Sequence, residues 1–108
     1  MFRREILGRR GLMKSLSLEL GPHNIRVNAI APGWTRTERV DQILKARAKA
    51  NKTTVQLEQA KMAETVPLRR VAEPQEFANA ATFLLSGAAS YITGVTLLVD
   101  GGMVKSVL

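Results

Sequence analysis

The sequence predicts an α/β fold of two strands and about four helices, with the strands belonging to a parallel sheet larger than this chain. Three observations carry that reading. Apolar residues recur at helical spacing in four stretches. Two runs rich in β-branched residues are apolar on both faces, as strands are when helices cover a parallel sheet on both sides. Two such strands leave most of their edges and faces open, so neighbouring strands are expected from a lost N-terminal part or from another chain.

The elements follow in order. Met13, Leu16 and Leu20 fall on one helical stripe, with Leu12 and Ile6 beside it. Gly21-Pro22 is expected to close that helix, because Gly relieves the C-cap and Pro cannot continue it. Ile25 to Ala31 reads as the first strand, ended by a sharp turn at Pro32-Gly33. A helix is predicted from about Glu38 to Ala50, with Val40, Ile43 and Leu44 on its apolar face, and Asn51-Lys52-Thr53 interrupts it. Thr53 with Gln56 resembles a capping box that starts a further helix to about Glu64. Pro67 forces a loop, and Pro74 opens the last helix, to about Ser86, with Phe77, Ala81 and Leu84 inward. Residues 87–94 are turn-rich. Val95 to Val99 is the second strand, stopped by Asp100-Gly101-Gly102. There is no repeat, low-complexity tract or linker, so residues 1–108 are expected to form a single partial domain.

Composition excludes several function classes. The chain has 108 residues, 45% hydrophobic and 23% charged, which is ordinary globular composition. No apolar run approaches the roughly 18 residues of a membrane span. The absence of cysteine removes disulfides, thiolate zinc sites and cysteine nucleophiles, and it fits a reducing, cytoplasmic compartment. His23 is the only histidine and no ligand cluster accompanies it, so it reads as a surface residue and no metal is expected. The opening Met-Phe-Arg-Arg-Glu has no secretory apolar core, and Glu5 argues against a mitochondrial presequence. The net charge is +7, of which the first ten residues hold +3. The other basic residues alternate with acids along solvated helix faces. With 5% aromatics, stacking on bases is poorly supplied, so neither nucleic acid nor membrane is taken as a partner.

Residues Leu16 to Gly33 resemble the stretch after the active site of short-chain dehydrogenases/reductases. Pro67-Leu68-Arg69-Arg70, Glu73-Pro74-Gln75-Glu76, Ser90-Tyr91-Ile92-Thr93-Gly94 and Val99-Asp100-Gly101-Gly102 continue the match in the family's order. The resemblance covers about residues 11–103 and is greatest to types such as the 3-oxoacyl-(acyl carrier protein) reductases. It implies the C-terminal half of a Rossmann-like, doubly wound parallel sheet. It also implies hydride transfer between NAD or NADP and a carbonyl or hydroxyl group of a small molecule.

The family works with a tyrosine acid/base whose pKa is lowered by a lysine four residues on, since a phenol near pKa 10 is a poor base at neutral pH. Sliding that pattern back from Gly11 puts Phe2 and Ile6 at the two positions, and Tyr91 is followed four residues later by Val95. No catalytic residue is therefore assigned. The Gly-rich phosphate loop, the catalytic serine and the acidic residue that selects NAD from NADP would lie upstream. Residues 1–10 depart from the family as a shifted reading frame or a false start would, and the expectation is a fragment inactive on its own.

The cofactor side remains. By resemblance, Pro32 and Gly33 lie over the nicotinamide ring, backbone groups at Thr35 contact its carboxamide, and the Thr37 hydroxyl reaches the carboxamide or the pyrophosphate. An amide ligand needs a donor and an acceptor fixed beside a close-approaching backbone. Arg26 and Asn28 are expected to serve strand packing and polar satisfaction. Trp34 either lines the substrate mouth or covers the turn. Residues 38–64 fall where the family has its substrate lid. Family members are commonly dimers or tetramers built on the first helix and last strand, so a homo-oligomer or a full-length homologue is the expected partner. The alternative is a non-catalytic piece that docks onto such homologues.

Overall fold

The computed structural model describes residues 2–105, with side chains from Gly11 on; the side chains of Phe2 and Ile6, on which the missing catalytic pair was argued, lie outside that range. The elements are α1 (Phe2–Leu20), β1 (Ala29–Pro32), α2 (Glu38–Asn51), α3 (Val55–Glu64), α4 (Pro74–Leu85) and β2 (Thr96–Val99). The two strands form one sheet. Ala29 N–H donates to Val95 O at 2.9 Å and Gly33 N–H to Val99 O at 3.0 Å, a constant offset that makes the pair parallel. Among the described residues no helix is long and apolar enough to cross a membrane.

The helix periods read from the sequence hold, but several local expectations are corrected. β1 starts at Ala29 and not at Ile25. Over residues 27–28 side chains take over most of the pairing: Val27 N–H donates to Thr93 Oγ1, Asn28 Nδ2 donates to Ile92 O, and Asn28 Oδ1 accepts from Val95 N–H, while Val27 O still accepts from Gly94 N–H at 2.8 Å. The strand also runs through Pro32 instead of ending before it. Donors toward β2 come from Ala29 and Gly33, so Pro32 falls on the alternate register, where no N–H is needed by that partner. α1 ends at Leu20, before Gly21-Pro22 as expected, but the cap is not Gly21: residues 21–23 tighten into a 3-10 turn, and the left-handed cap is Asn24, at φ 59°. The cap of α3 is Thr54, whose side chain accepts from Leu57 N–H, and not Thr53.

The chain divides into two compact units. The first combines the segment up to Ala31 with Ala80–Leu97. In it Gly94 passes close to α1 at φ 73°; a Cβ there would stand 2.8 Å from Ser17 Oγ and 2.9 Å from Lys14 Nζ. Arg26 donates to Leu84 O at 2.7 Å, at the end of α4, and to Ser86 O at 3.1 Å, which also accepts from Ala89 N–H in the 3-10 turn that follows.

The second unit combines Pro32–Asn79 with the segment from Leu98 on. Its core is the α2–α3 hairpin, where Val40, Leu44 and Met62 are buried against Trp34, Ile43, Val55 and Val71. Glu58 locks the hairpin. Buried at 3% exposure, its carboxylate accepts from Thr53 Oγ1 at 2.6 Å and Asn51 Nδ2 at 3.2 Å, with Lys61 Nζ at 3.6 Å. Those donors, Thr53 foremost, hold its carboxyl below the ordinary value. Thr53 thus serves Glu58 rather than the helix terminus.

Candidate functional site

The connection from β1 to α2 is fixed on two sides. On one, Gly33 N–H is bonded to Val99 O, and Asp100 fills the space beside the glycine: a Cβ on Gly33 would lie 2.8 Å from Asp100 Cα and Cβ. Asp100 is held in turn by accepting from Gly102 N–H at 2.9 Å and Val104 N–H at 3.0 Å, bonds that lower its pKa. On the other side Thr35 forms an isolated parallel bridge with Ala72. Ala72 N–H donates to Trp34 O at 2.9 Å, and Arg36 N–H donates to Ala72 O at 2.8 Å.

Both of those bonds come from the residues flanking Thr35. The N–H and C=O of Thr35 itself therefore face away from Ala72, as alternation along a strand requires. The carbonyl takes Thr37 N–H at 2.8 Å, and the Thr35 hydroxyl, in a side chain 8% exposed, donates to Gly33 O at 3.4 Å. Thr37 caps α2: its hydroxyl accepts from Val40 N–H at 3.4 Å, and its C=O accepts from Asp41 N–H at 3.0 Å.

Pro32, Gly33, Thr35 and Thr37 line one cavity of about 470 Å³. All four residues singled out in the sequence are thus brought together. The sequence reading missed the rest of the wall: Val40 and Ile43 from α2, Pro74 and Phe77 from α4, and Arg39. The helical periods at 40, 43 and 77 were visible, but only the packed chain shows that these faces border a cavity as well as a core. Trp34 belongs to both the core and the cavity wall. It packs on the α2–α3 core with the Arg47 guanidinium 5.6 Å from its ring centre, and it lines the cavity. A second cavity, of about 520 Å³, lies behind it, walled by Val66, Leu68 and Leu98.

The first cavity offers backbone groups, two threonine hydroxyls, one guanidinium and apolar walls. It can position an amide-bearing, largely apolar ligand, but among the described residues no carboxylate, imidazole or phenol lines it to move a proton. His23 and Tyr91 are both exposed, Tyr91 entirely so. No cluster of three His, Cys, Asp or Glu among the described residues is placed to hold a metal ion.

Residues 8–104 match the family model described as enoyl-(acyl carrier protein) reductase. The chain belongs to the short-chain dehydrogenase/reductase family. Among short-chain dehydrogenases, it is 50% identical over 91 residues to a 3alpha-hydroxysteroid dehydrogenase of Mediterraneibacter gnavus, covering 84% of this chain and 32% of that protein. It is 40% identical over 94 residues to the NADPH-dependent reductase BacG of Bacillus subtilis, covering 87% of this chain and 36% of that one. The fold superposes at TM-score 0.84 and 36% identity on L-sorbose reductase from Gluconobacter frateurii, solved with NADPH and L-sorbose, over 91% of this chain and 38% of that one. The chain spans about a third of the length of the curated short-chain dehydrogenases it matches. The α/β, Rossmann-like expectation is borne out by these neighbours.

Proposed function

We propose that these residues form the nicotinamide-facing side of an NAD(P)-dependent oxidoreductase acting on a carbonyl or hydroxyl group of a small molecule, and that the 108 residues alone do not turn over. One observation carries the reading: Pro32, Gly33, Thr35 and Thr37 line a single cavity, while the bridge to Ala72 turns the Thr35 N–H and C=O the opposite way. A nicotinamide carboxamide fits such a site, since it asks for one donor and one acceptor beside a backbone with no side chain in the way. Gly33 and Pro32 would face the ring, Thr35 would hold the carboxamide through its backbone, and Thr37 would offer its hydroxyl. The cofactor, when bound, supplies or accepts the hydride. The chain's own residues orient the ring and exclude water through Trp34, Ile43 and Phe77.

Inactivity of the isolated chain follows from the lack of a Tyr-x-x-x-Lys pair anywhere in the sequence and of any acid/base on the cavity wall. Relatives described as NADPH-dependent support the nicotinamide dinucleotide, and the cysteine-free composition supports a cytoplasmic setting. The test is Trp34 emission, the sole tryptophan signal, during titration with nicotinamide mononucleotide. Saturable quenching that weakens on Gly33→Ala is expected, and no response up to tens of millimolar would overturn the reading. Alcohol oxidation with NAD(P), abolished by Thr37→Ala, would overturn the claim of inactivity.

A second reading, a piece that docks onto full-length homologues or onto itself, is favoured by α1. There Leu12 and Leu18 are 63% and 69% exposed, surface that an apolar helix normally buries. Retention on an immobilised full-length homologue, lost on Leu12→Glu with Leu18→Glu, is the outcome that supports it.

A further inference from the structure

The residue that holds the cavity turn, Ala72, sits inside a closed ring of interactions that the binding site itself does not require. Arg70 grips Glu76 through both ends of its guanidinium, with Nη1 to Oε2 at 2.7 Å and Nη2 to Oε1 at 2.6 Å. The same carboxylate accepts from Glu73 N–H at 2.8 Å, while Glu76 N–H donates back to Glu73 O at 3.0 Å. Residues 70 and 73–76 are thereby tied together, and Ala72 lies between them. A looser tie crosses to the turn, with Arg36 Nη1 3.9 Å from Glu73 Oε1.

Exposed ion pairs contribute little to global stability, and Arg70 and Glu76 have side chains 55% and 37% exposed. Their two-point geometry is nonetheless the kind that fixes orientation, and sharing the carboxylate with a backbone donor leaves it one placement. The Glu76 carboxyl is held at about 2, first by Arg70 and then by the Glu73 N–H, so the clasp is charged across the neutral range. Ala72 has a methyl side chain and cannot fix its own position by packing. Val71 anchors the loop on the α2–α3 core and Arg69 N–H donates to Val66 O, while the clasp ties the residues on either side of Ala72 itself.

We propose that Arg70 and Glu76 are positioning residues: their clasp sets where Ala72 presents its N–H and C=O, and so fixes the Trp34–Thr37 turn for its ligand. The consequence for binding rests on the cofactor-facing reading of that turn; the consequence for the turn's rigidity does not.

The experiment is amide hydrogen exchange by mass spectrometry on the full chain and on Glu76→Gln, Arg70→Ala and Arg70→Lys, with and without nicotinamide mononucleotide. It is readable at low concentration and in assembled material. Glu76→Gln and Arg70→Ala are expected to speed exchange in the peptide covering 32–38 at least tenfold while leaving 55–64 within twofold. Arg70→Lys, which keeps the charge and loses the fork, should recover part of the protection. Nicotinamide mononucleotide should slow exchange at 32–38 in the unaltered chain, with about fivefold to tenfold weaker binding in the two disruptive variants. Unchanged exchange at 32–38 in both disruptive variants overturns the clasp, whatever the nucleotide does. An unaltered chain indifferent to the nucleotide overturns the cofactor reading while the exchange comparison still decides the clasp. A uniform rise over all peptides, not relieved by Arg70→Lys, would mean the pair holds up the whole unit and would also overturn a positioning role.

Discussion

Asp100 occupies the space that a side chain on Gly33 would need, with its Cα and Cβ each 2.8 Å from where that Cβ would stand. The end of β2 is thus packed against the start of the cavity turn without a side chain between them, and the contact is backbone to backbone on at least one side. Gly33→Ala must push the turn away from Asp100, since an α-carbon has no rotamer with which to yield. The expected cost is about 1–3 kcal/mol, typical of overpacking. It should appear as a lower denaturant midpoint together with altered Trp34 emission in the folded state.

Acid is expected to loosen the second unit through Glu58 and Glu76. Both carboxyls are held below the ordinary value of 4.5, Glu76 at about 2, so folding favours their charged forms. Their contribution is complete above about pH 4.5 and is lost as the pH falls below it, for Glu76 on approaching about 2. Denaturant midpoints measured from pH 6 down to pH 2 should fall over that window. Glu58→Gln should lower the midpoint at pH 6 and flatten the fall; an equally steep fall in that variant would show that Glu58 does not drive it.

Arg26 ties the strand approach to the end of α4 in the first unit by two charge-assisted bonds to Leu84 O and Ser86 O. Arg26→Ala should cost about 1.5–3 kcal/mol, the range for hydrogen bonds to a charged group. Arg26→Lys should recover less than half, because an ammonium cannot reach two carbonyls with a planar fork. Faster amide exchange at residues 84–87 in Arg26→Ala, ahead of any change in α2, is the specific signature.

Assembly is the last expectation. β1 and β2 pair only with each other among the described residues, so each has an edge without a strand partner. Leu12, Leu18 and Leu85 add exposed apolar surface in the first unit. Sedimentation at micromolar concentration should find oligomers or aggregates, reduced by Leu12→Glu with Leu18→Glu. A monomer with a sharp, cooperative melt would contradict it.

Pro32, Gly33, Thr35 and Thr37 were singled out only through the family resemblance, whereas the helix periods, the two-strand parallel pattern and the turn at Pro32-Gly33 were legible in the order of residues. Those signals are local: a 3.6-residue apolar stripe, a β-branched run, a proline followed by a glycine. Where the expectation slipped by a few residues, a distant group had taken over a local role. Asn28 and Thr93 take over part of the pairing before Ala29, and Glu58 draws Thr53 away from capping so that Thr54 caps α3. Arg70 and Glu76 flank Pro74 in the sequence, yet nothing in the linear order says that a carboxylate six residues on will close a ring around Ala72.

The lack of a Tyr-x-x-x-Lys pair and the turn at Pro32-Gly33 can both be read from the sequence by eye. Only tertiary structure decided which way Thr35 presents its backbone, why Gly33 must lack a side chain, and how α2 and α4 wall the cavity. Hydrogen-bond direction and close approach depend on which distant segments meet, and that is a property of the packed chain.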